Sequence, residues 1–193
     1  MNISFAKNSS VICILFLLSA CSSTTPVEKT QYFLLTPAAT SVTDKNSSHA
    51  SNEFLILEQI KLAKFLDQTG IVLQTDTHQI EAAHYHRWAE PLKHNLHRYI
   101  SSTLSNHSEY QFTDKQNSDG VKQDEILSIS IDQFHGTKDG NALLAGEWSF
   151  KQHNYAFSYQ TALTQPGYAE LVTQLASLLD GLCTDIAKEL ITQ

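Results

Sequence analysis

Arg87-Trp88-Ala89-Glu90-Pro91-Leu92 is where this sequence changes period, and the change decides the fold class. Before it, Gln79 to His86 reads as a strand. It pairs with Ile71-Val72-Leu73-Gln74 across the turn Asp76-Thr77-His78, and Gly70 opens the hairpin. After it, Leu92, Leu96, Tyr99, Ile100 and Leu104 recur at helical spacing, one apolar stripe on an otherwise polar segment. Pro91 suits the first helical turn, where its missing N–H costs no hydrogen bond. A strand therefore hands over to a helix within about one turn of chain.

Working outward, both flanks repeat the mixture. Towards the N-terminus, Phe54 to Ile60 is an apolar run that fits a buried central strand. Gln31 to Leu35 reads as a first strand closed by Thr36-Pro37, and Ala38 to Asn52 as a loop rich in Ser, Thr, Asn and Ala. Towards the C-terminus, Thr113 to Lys122 is polar, contains Asp119-Gly120 and reads as a loop. Ile126 to Phe134 alternates, with Leu127, Ile129 and Ile131 on one face and Ser128, Ser130 and Asp132 on the other. Asp139-Gly140 signals a hairpin. Leu144, Gly146, Trp148 and Phe150 share a face, and so do Tyr155, Phe157 and Tyr159. The three segments predict a meander.

The strongest helix closes the chain. Tyr168, Leu171, Val172, Leu175, Leu178, Leu179, Leu182, Ile186 and Leu190 recur at three- and four-residue steps after Pro166-Gly167. Helices are expected near residues 90–105 and 167–191, the second burying Leu171, Leu175, Leu178 and Leu182. Gly181 inside it costs about 1 kcal/mol relative to Ala, which points to tight packing at that turn. The fold class is α/β, a single domain with a mixed sheet flanked by helices.

The first twenty residues belong to another device. Val11 to Leu18 is an apolar run after a short segment carrying Lys7, and Leu18-Ser19-Ala20 leads into Cys21. That is a secretory signal with a small-residue cleavage site, and the run falls short of the roughly 20 apolar residues of a membrane span. Leu-Ser-Ala-Cys resembles the bacterial lipobox, in which the cysteine thiol receives a diacylglycerol, the peptide is cut before it and the new amine is acylated. Each buried CH₂ contributes about 0.8 kcal/mol and one chain anchors only marginally, so a three-chain cysteine stays in its leaflet. Ser22 and Ser23 follow, with no Asp at either place; by resemblance to enterobacterial lipoproteins this directs the protein to the outer membrane. The expected organisation is a signal peptide at 1–20, a lipidated tether at 21–30 and one domain at 31–193.

Composition narrows the function. The formal charge of −7 becomes −8 once Lys7 is removed, and no basic block exists, which argues against nucleic acid and against docking on anionic headgroups by charge. Of three cysteines, Cys13 leaves with the signal and Cys21 carries lipid, so Cys183 is alone and no intramolecular disulfide is expected. Cys183 reads as a buried small hydrophobe, with a reactive thiol as the alternative. His84 and His86 share a strand face, and His94 and His97 a helix face, but zinc needs three to four converging ligands and no paired motif supplies them. No Gly-x-Ser-x-Gly, Ser-x-x-Lys or phosphate-cradling glycine loop occurs. No catalytic residue, metal site or cofactor is therefore assigned. Trp88 reads as a core or staple aromatic, with partner contact as the alternative.

Several of these segments together resemble the ABC-type transport auxiliary lipoproteins, the PqiC-like family: Tyr32-Phe33-Leu34-Leu35, Ile71-Val72-Leu73-Gln74, Arg87 to Leu92, Phe134-His135-Gly136 with Leu144-Ala145-Gly146-Glu147-Trp148, and Gly167-Tyr168-Ala169-Glu170. The resemblance implies a domain similar to the N-terminal domain of TolB. It also implies a non-enzymatic role at the outer membrane in an MCE-type lipid transport system, with a PqiB-like MCE-domain protein and an inner-membrane multipass or ABC transporter component as partners. A homo-oligomeric ring facing the periplasm is the implied assembly. The competing reading is a lipid carrier, which needs an apolar cavity of roughly 300–1,000 Å³.

Overall fold

A computed structural model describes residues 28–37, 54–113 and 126–192. Cys21, Ser22, Ser23, the 38–52 segment and residues 114–122 lie outside the described residues. The elements run β1 (Gln31–Phe33), β2 (Phe54–Leu57), β3 (Lys61–Leu62), a 3₁₀ turn (Lys64–Leu66), β4 (Gly70–Asp76), β5 (Gln79–Trp88), α1 (Leu92–His107), β6 (Gln111–Thr113), β7 (Ile126–Thr137), β8 (Asn141–Phe150), β9 (His153–Ala162) and α2 (Tyr168–Thr192). The strands form one nine-stranded mixed sheet. The α/β class, the β4–β5 hairpin, the β7–β8–β9 meander and both helices fall where the periodicity puts them.

β7 is the hub. Along one side it accepts three parallel partners in turn, β2 at Ile126–Leu127, β3 at Ser130–Ile131 and β4 at Gly136–Thr137. Along the other it pairs antiparallel with β8, and β8 with β9. Antiparallel β5 and parallel β1 extend the β4 side, while parallel β6 extends β2. The central strand is thus β7 and not the Phe54 run: that run stops being a strand at Leu57, and Phe54 is exposed although Leu55, Ile56, Leu57 and Ile60 are buried. Likewise β1 ends at Phe33, two residues early, and Thr113 belongs to a strand and not a loop. Pro91 sits one residue before the first helical turn, its carbonyl accepting from the His94 and Asn95 N–H groups.

The alternation along β7 breaks once. The pairing with β8 shifts between Ile131 and Gln133, a bulge that reverses the parity of the strand. Before it Leu127, Ile129 and Ile131 point into the core; after it Phe134 does. Gly146 faces the bulge as the partner of Ile131. A Cβ there would lie 2.1 Å from the Ser130 carbonyl oxygen and 3.0 Å from the Phe157 ring, so only glycine lets the two backbones approach this closely.

Both helices lie on one face of the sheet and touch each other. Tyr99 on α1 donates to Asp180 on α2 at 2.8 Å. Tyr155 and Tyr159 of β9 donate to Glu189 and Asp185 of α2 at 2.9 and 2.8 Å. The α1 stripe of Leu92, Leu96, Tyr99, Ile100 and Leu104 is buried throughout. On α2 the buried set is Leu171, Leu175, Leu179, Leu182, Cys183, Ile186, Ala187 and Leu190; Leu178 is only partly buried, because the stripe drifts and Leu179 takes the inward position. Burying each such leucine contributes roughly 1.5–3 kcal/mol. Gly181 corrects a second expectation, since a Cβ there would meet nothing within 4 Å and no close approach requires the glycine. On the opposite sheet face Glu147, Ala156 and Ser158 are exposed and Ser130 is half-buried, whereas His135 is buried there and meets Phe65 of the Lys64–Leu66 turn edge-on at 6.2 Å.

Candidate anchor and partner-binding site

The described residues begin at Glu28 and reach β1 three residues later. β1 lies parallel to the end of β5, with Gln31, Tyr32 and Phe33 opposite His86, Arg87 and Trp88. The Ala89 N–H donates to the Phe33 carbonyl at 2.8 Å. The Asn95 side chain then clamps the next buried residue from both sides. Its Oδ1 accepts from the Leu35 N–H at 2.7 Å, and its Nδ2 donates to the Leu35 carbonyl at 2.9 Å. Asn95 is itself buried. A buried amide that meets both backbone groups of one residue substitutes for a strand partner, which is why β1 can end so soon.

The Arg87 to Leu92 segment supplies the rest of that socket. Trp88 is 5 % exposed and stacks on Phe134 at 6.0 Å between ring centroids, so it is a core aromatic and offers a partner nothing. Glu90 receives both arms of the Arg98 guanidinium, one at 3.0 Å, and this hydrogen bonding holds its carboxyl below the usual glutamate range. The pair is solvent-exposed and serves mainly to orient the β5–α1 connection. Glu170 plays the matching part at the start of α2. It accepts from the Thr164 N–H, the Thr164 hydroxyl and Gln174 at 3.2, 2.7 and 2.8 Å, which lowers its pKa.

The groups considered for catalysis or metal binding scatter. His86 stacks on Tyr168 at 4.0 Å, and His84 meets Tyr85 edge-on at 4.8 Å. His97 Nε2 lies 3.1 Å from the Leu57 carbonyl oxygen, whereas His94 is exposed. Among the described residues no three His, Cys, Asp or Glu side chains converge as a metal site would require. Cys183 is fully buried, and burial, with Asp180 adding to it, pushes its thiol well above the ordinary range. That is an inert packing residue, as nucleophilic chemistry requires the thiolate. Tyr99 is pushed up too, first by burial and then by Asp180.

Two hollows mark the surface. One is a cleft of about 100 Å³ on the sheet face opposite the helices, lined by Lys61, Ser128, Ser130, Glu147, Ser149 and Asn154 among others. The other, about 490 Å³, opens to solvent around the Asp76–Gln79 turn. Both are walled largely by polar groups, unlike an apolar chamber for an acyl chain. Among the described residues no helix is long and apolar enough to cross a membrane.

This combination is an α/β domain with both helices on one face of a mixed sheet. Residues 32–187 match the family described as the ABC-type transport auxiliary lipoprotein component, and the chain belongs to that family. In sequence it is 29% identical over 177 residues to the intermembrane transport lipoprotein PqiC of Escherichia coli K12, covering 90% of this chain and 91% of that one; the Shigella flexneri protein of the same name gives the same figures. In structure it is similar to an uncharacterised protein of known crystal structure, with TM-score 0.70 and 25% identity over 84% of this chain and 99% of the other. A Xanthomonas campestris protein of family DUF330 follows with TM-score 0.64 and 14% identity, over 84% and 95% of the two chains, which speaks for the fold alone.

Proposed function

We propose that the chain is a lipid-anchored, periplasm-facing component of an intermembrane lipid transport system, held in the inner leaflet of the outer membrane through Cys21 and sorted there by Ser22 and Ser23. It acts without catalysis or cofactor, docking an MCE-domain protein of the PqiB type that is served in turn by an inner-membrane multipass or ABC transporter component. The observation that carries this reading is the match to the auxiliary lipoprotein family over residues 32–187, joined to the 29% identity with PqiC. The dispersed histidines and the buried thiol support a role in assembly, and the polar hollows weigh against the lipid-carrier alternative. A ring of copies suits such docking. A single domain on a tether of about ten residues has a reach of roughly 16–19 Å and little orientation, whereas multiplying weak contacts raises avidity by about 10²–10⁴.

Crosslinking in intact cells, followed by capture of the protein and mass spectrometry, tests the whole reading. It should return an MCE-domain partner and multiples of the chain itself, and the mature N-terminus should be Cys21 carrying a lipid mass. A soluble form with residues 1–20 intact rules out the anchor. Lipid held within an isolated monomer, with no MCE partner captured, favours the carrier.

A further inference from the structure

Among the described residues, the exposed large apolar side chains are Tyr32, Leu34, Phe54, Ile80 and Ile191. Two of the five adjoin, and a third lies on the neighbouring strand, seven residues from the one that Tyr32 faces. Tyr32 (65 % exposed) is in β1, Leu34 (46 %) follows that strand directly, and Ile80 (45 %) is on β5, the strand that β1 pairs with. β1 covers β5 only from His86 to Trp88, so the edge of β5 from Gln79 to Tyr85 carries no partner strand among the described residues. Arg87 stands opposite Tyr32 in register, and its buried Nε has no hydrogen-bond partner among the described residues. An exposed apolar edge beside a buried N–H without a partner is costly unless something covers it.

The chain itself says what does. Ten chain steps lead from Cys21 to Gln31, a reach of roughly 16–19 Å for a flexible segment and at most about 33–36 Å fully extended. The edge at β1 is therefore held next to whatever surface receives the lipid. The far edge, β9, stands five strand spacings away, about 24 Å. Charge agrees: Glu28 and Glu81 are offset here by Lys29 and Arg87, whereas the chain as a whole carries −7. A neutral edge is the one an acidic protein can lay on phospholipid without repulsion.

We infer that the β1–β5 edge docks on the phospholipid surface, with Tyr32, Leu34 and Ile80 entering the headgroup region and the Arg87 guanidinium meeting headgroup phosphate. This rests on the lipid-anchor reading and adds an orientation: the sheet stands edge-on, β1 towards the bilayer and β9 towards the periplasm. Tyrosine suits such a boundary because its ring is apolar and its hydroxyl stays wet, and arginine pairs with phosphate oxygens through two parallel donors.

The test uses the mature lipidated protein in vesicles of phosphatidylethanolamine and phosphatidylglycerol. Tyr32→Cys, Leu34→Cys, Ile80→Cys and, on the far edge, Ser158→Cys are each labelled with bimane; the unsubstituted protein checks that Cys183 does not react. Spin-labelled phospholipid should quench the probes at 32, 34 and 80 severalfold more than the probe at 158, with every variant floating with the vesicles. Adding Tyr32→Ser or Leu34→Ser to the Ile80→Cys variant should lower the quenching at 80. Equal quenching at all four positions in floating protein overturns the docking and leaves the anchor standing. Protein that does not float overturns both.

Discussion

The two ends of this domain are held by opposite means. At the C-terminal end, α2 spans 25 residues and presses a continuous apolar stripe onto β7, β8 and β9, with hydrogen bonds only at its margins. At the N-terminal end, β1 is three residues long, leaves Tyr32 in solvent and depends on a few directional bonds to Ala89 and Asn95. Area secures one end and geometry secures the other. The difference teaches where this domain tolerates exposed apolar surface: Tyr32 and Leu34 stand at the end held by directional bonds, not at the end held by area.

The largest effect should come from the packed end. Leu175→Ala opens a cavity under α2 at a fully buried site and should cost about 2–5 kcal/mol. In a domain of this size that is a fall in Tm of about 4–20 °C by calorimetry; an unchanged Tm would mean that α2 is not docked by its stripe. At the other end, Asn95→Ala strands the buried Leu35 N–H and C=O, at about 1–3 kcal/mol. Its signature should be local: hydrogen exchange at Phe33 and Leu35 rises far more than at Leu175. Equal acceleration at all three would erase the contrast between the two ends.

Tyr99→Phe sharpens the comparison at the α1–α2 seam. It removes the hydroxyl that donates to Asp180 and keeps the ring, so about 0.5–1.5 kcal/mol should be lost in denaturant unfolding. Acid should act on the margins of α2. Glu170 and Asp185 are both held below their ordinary pKa values, Glu170 first by the Thr164 hydroxyl and Asp185 first by the Tyr159 hydroxyl. Folding therefore favours their ionised forms. That stabilisation is complete above the unfolded carboxylate values, near pH 4, and is lost as pH falls through the lower folded ones. Tm should hold from pH 7 to about 5 and drop below about 4, and Glu170→Gln should flatten the drop. The smallest effect is a gain: Gly181→Ala meets open space and should stabilise α2 by up to about 1 kcal/mol.

Much of the architecture was readable because it is local. Hairpins declare themselves through turn residues and two-residue alternation, and α2 through a stripe repeated over about seven turns. Trp88 and Cys183 were legible as core residues for the same reason, since each sits on a face whose neighbours are apolar. The misses share a different cause. β3 and β6 are two and three residues long, too short to show a period, and they exist because β7 and β2 offer them parallel edges. Leu178 lost its place to Leu179 because a helix of 25 residues does not keep a fixed step along its stripe.

The candidate site divides in the same way. The anchor reading rests on contiguous residues, Leu18 to Cys21, that resemble a lipobox and lie outside the described residues. Nothing in the order of residues joins Leu35 to Asn95, 60 positions apart, or Tyr32 to Arg87 and Ile80. Sequence by itself determined the α/β class and the elements that are long enough to be periodic, because each is encoded by near neighbours. Only the tertiary structure decided that β7 is the centre, that both helices share one face, and that Tyr32 and Leu34 stand exposed at the β1 edge. Those are matters of which distant segments pair, and pairing is settled by the burial and hydrogen bonding of the whole chain at once.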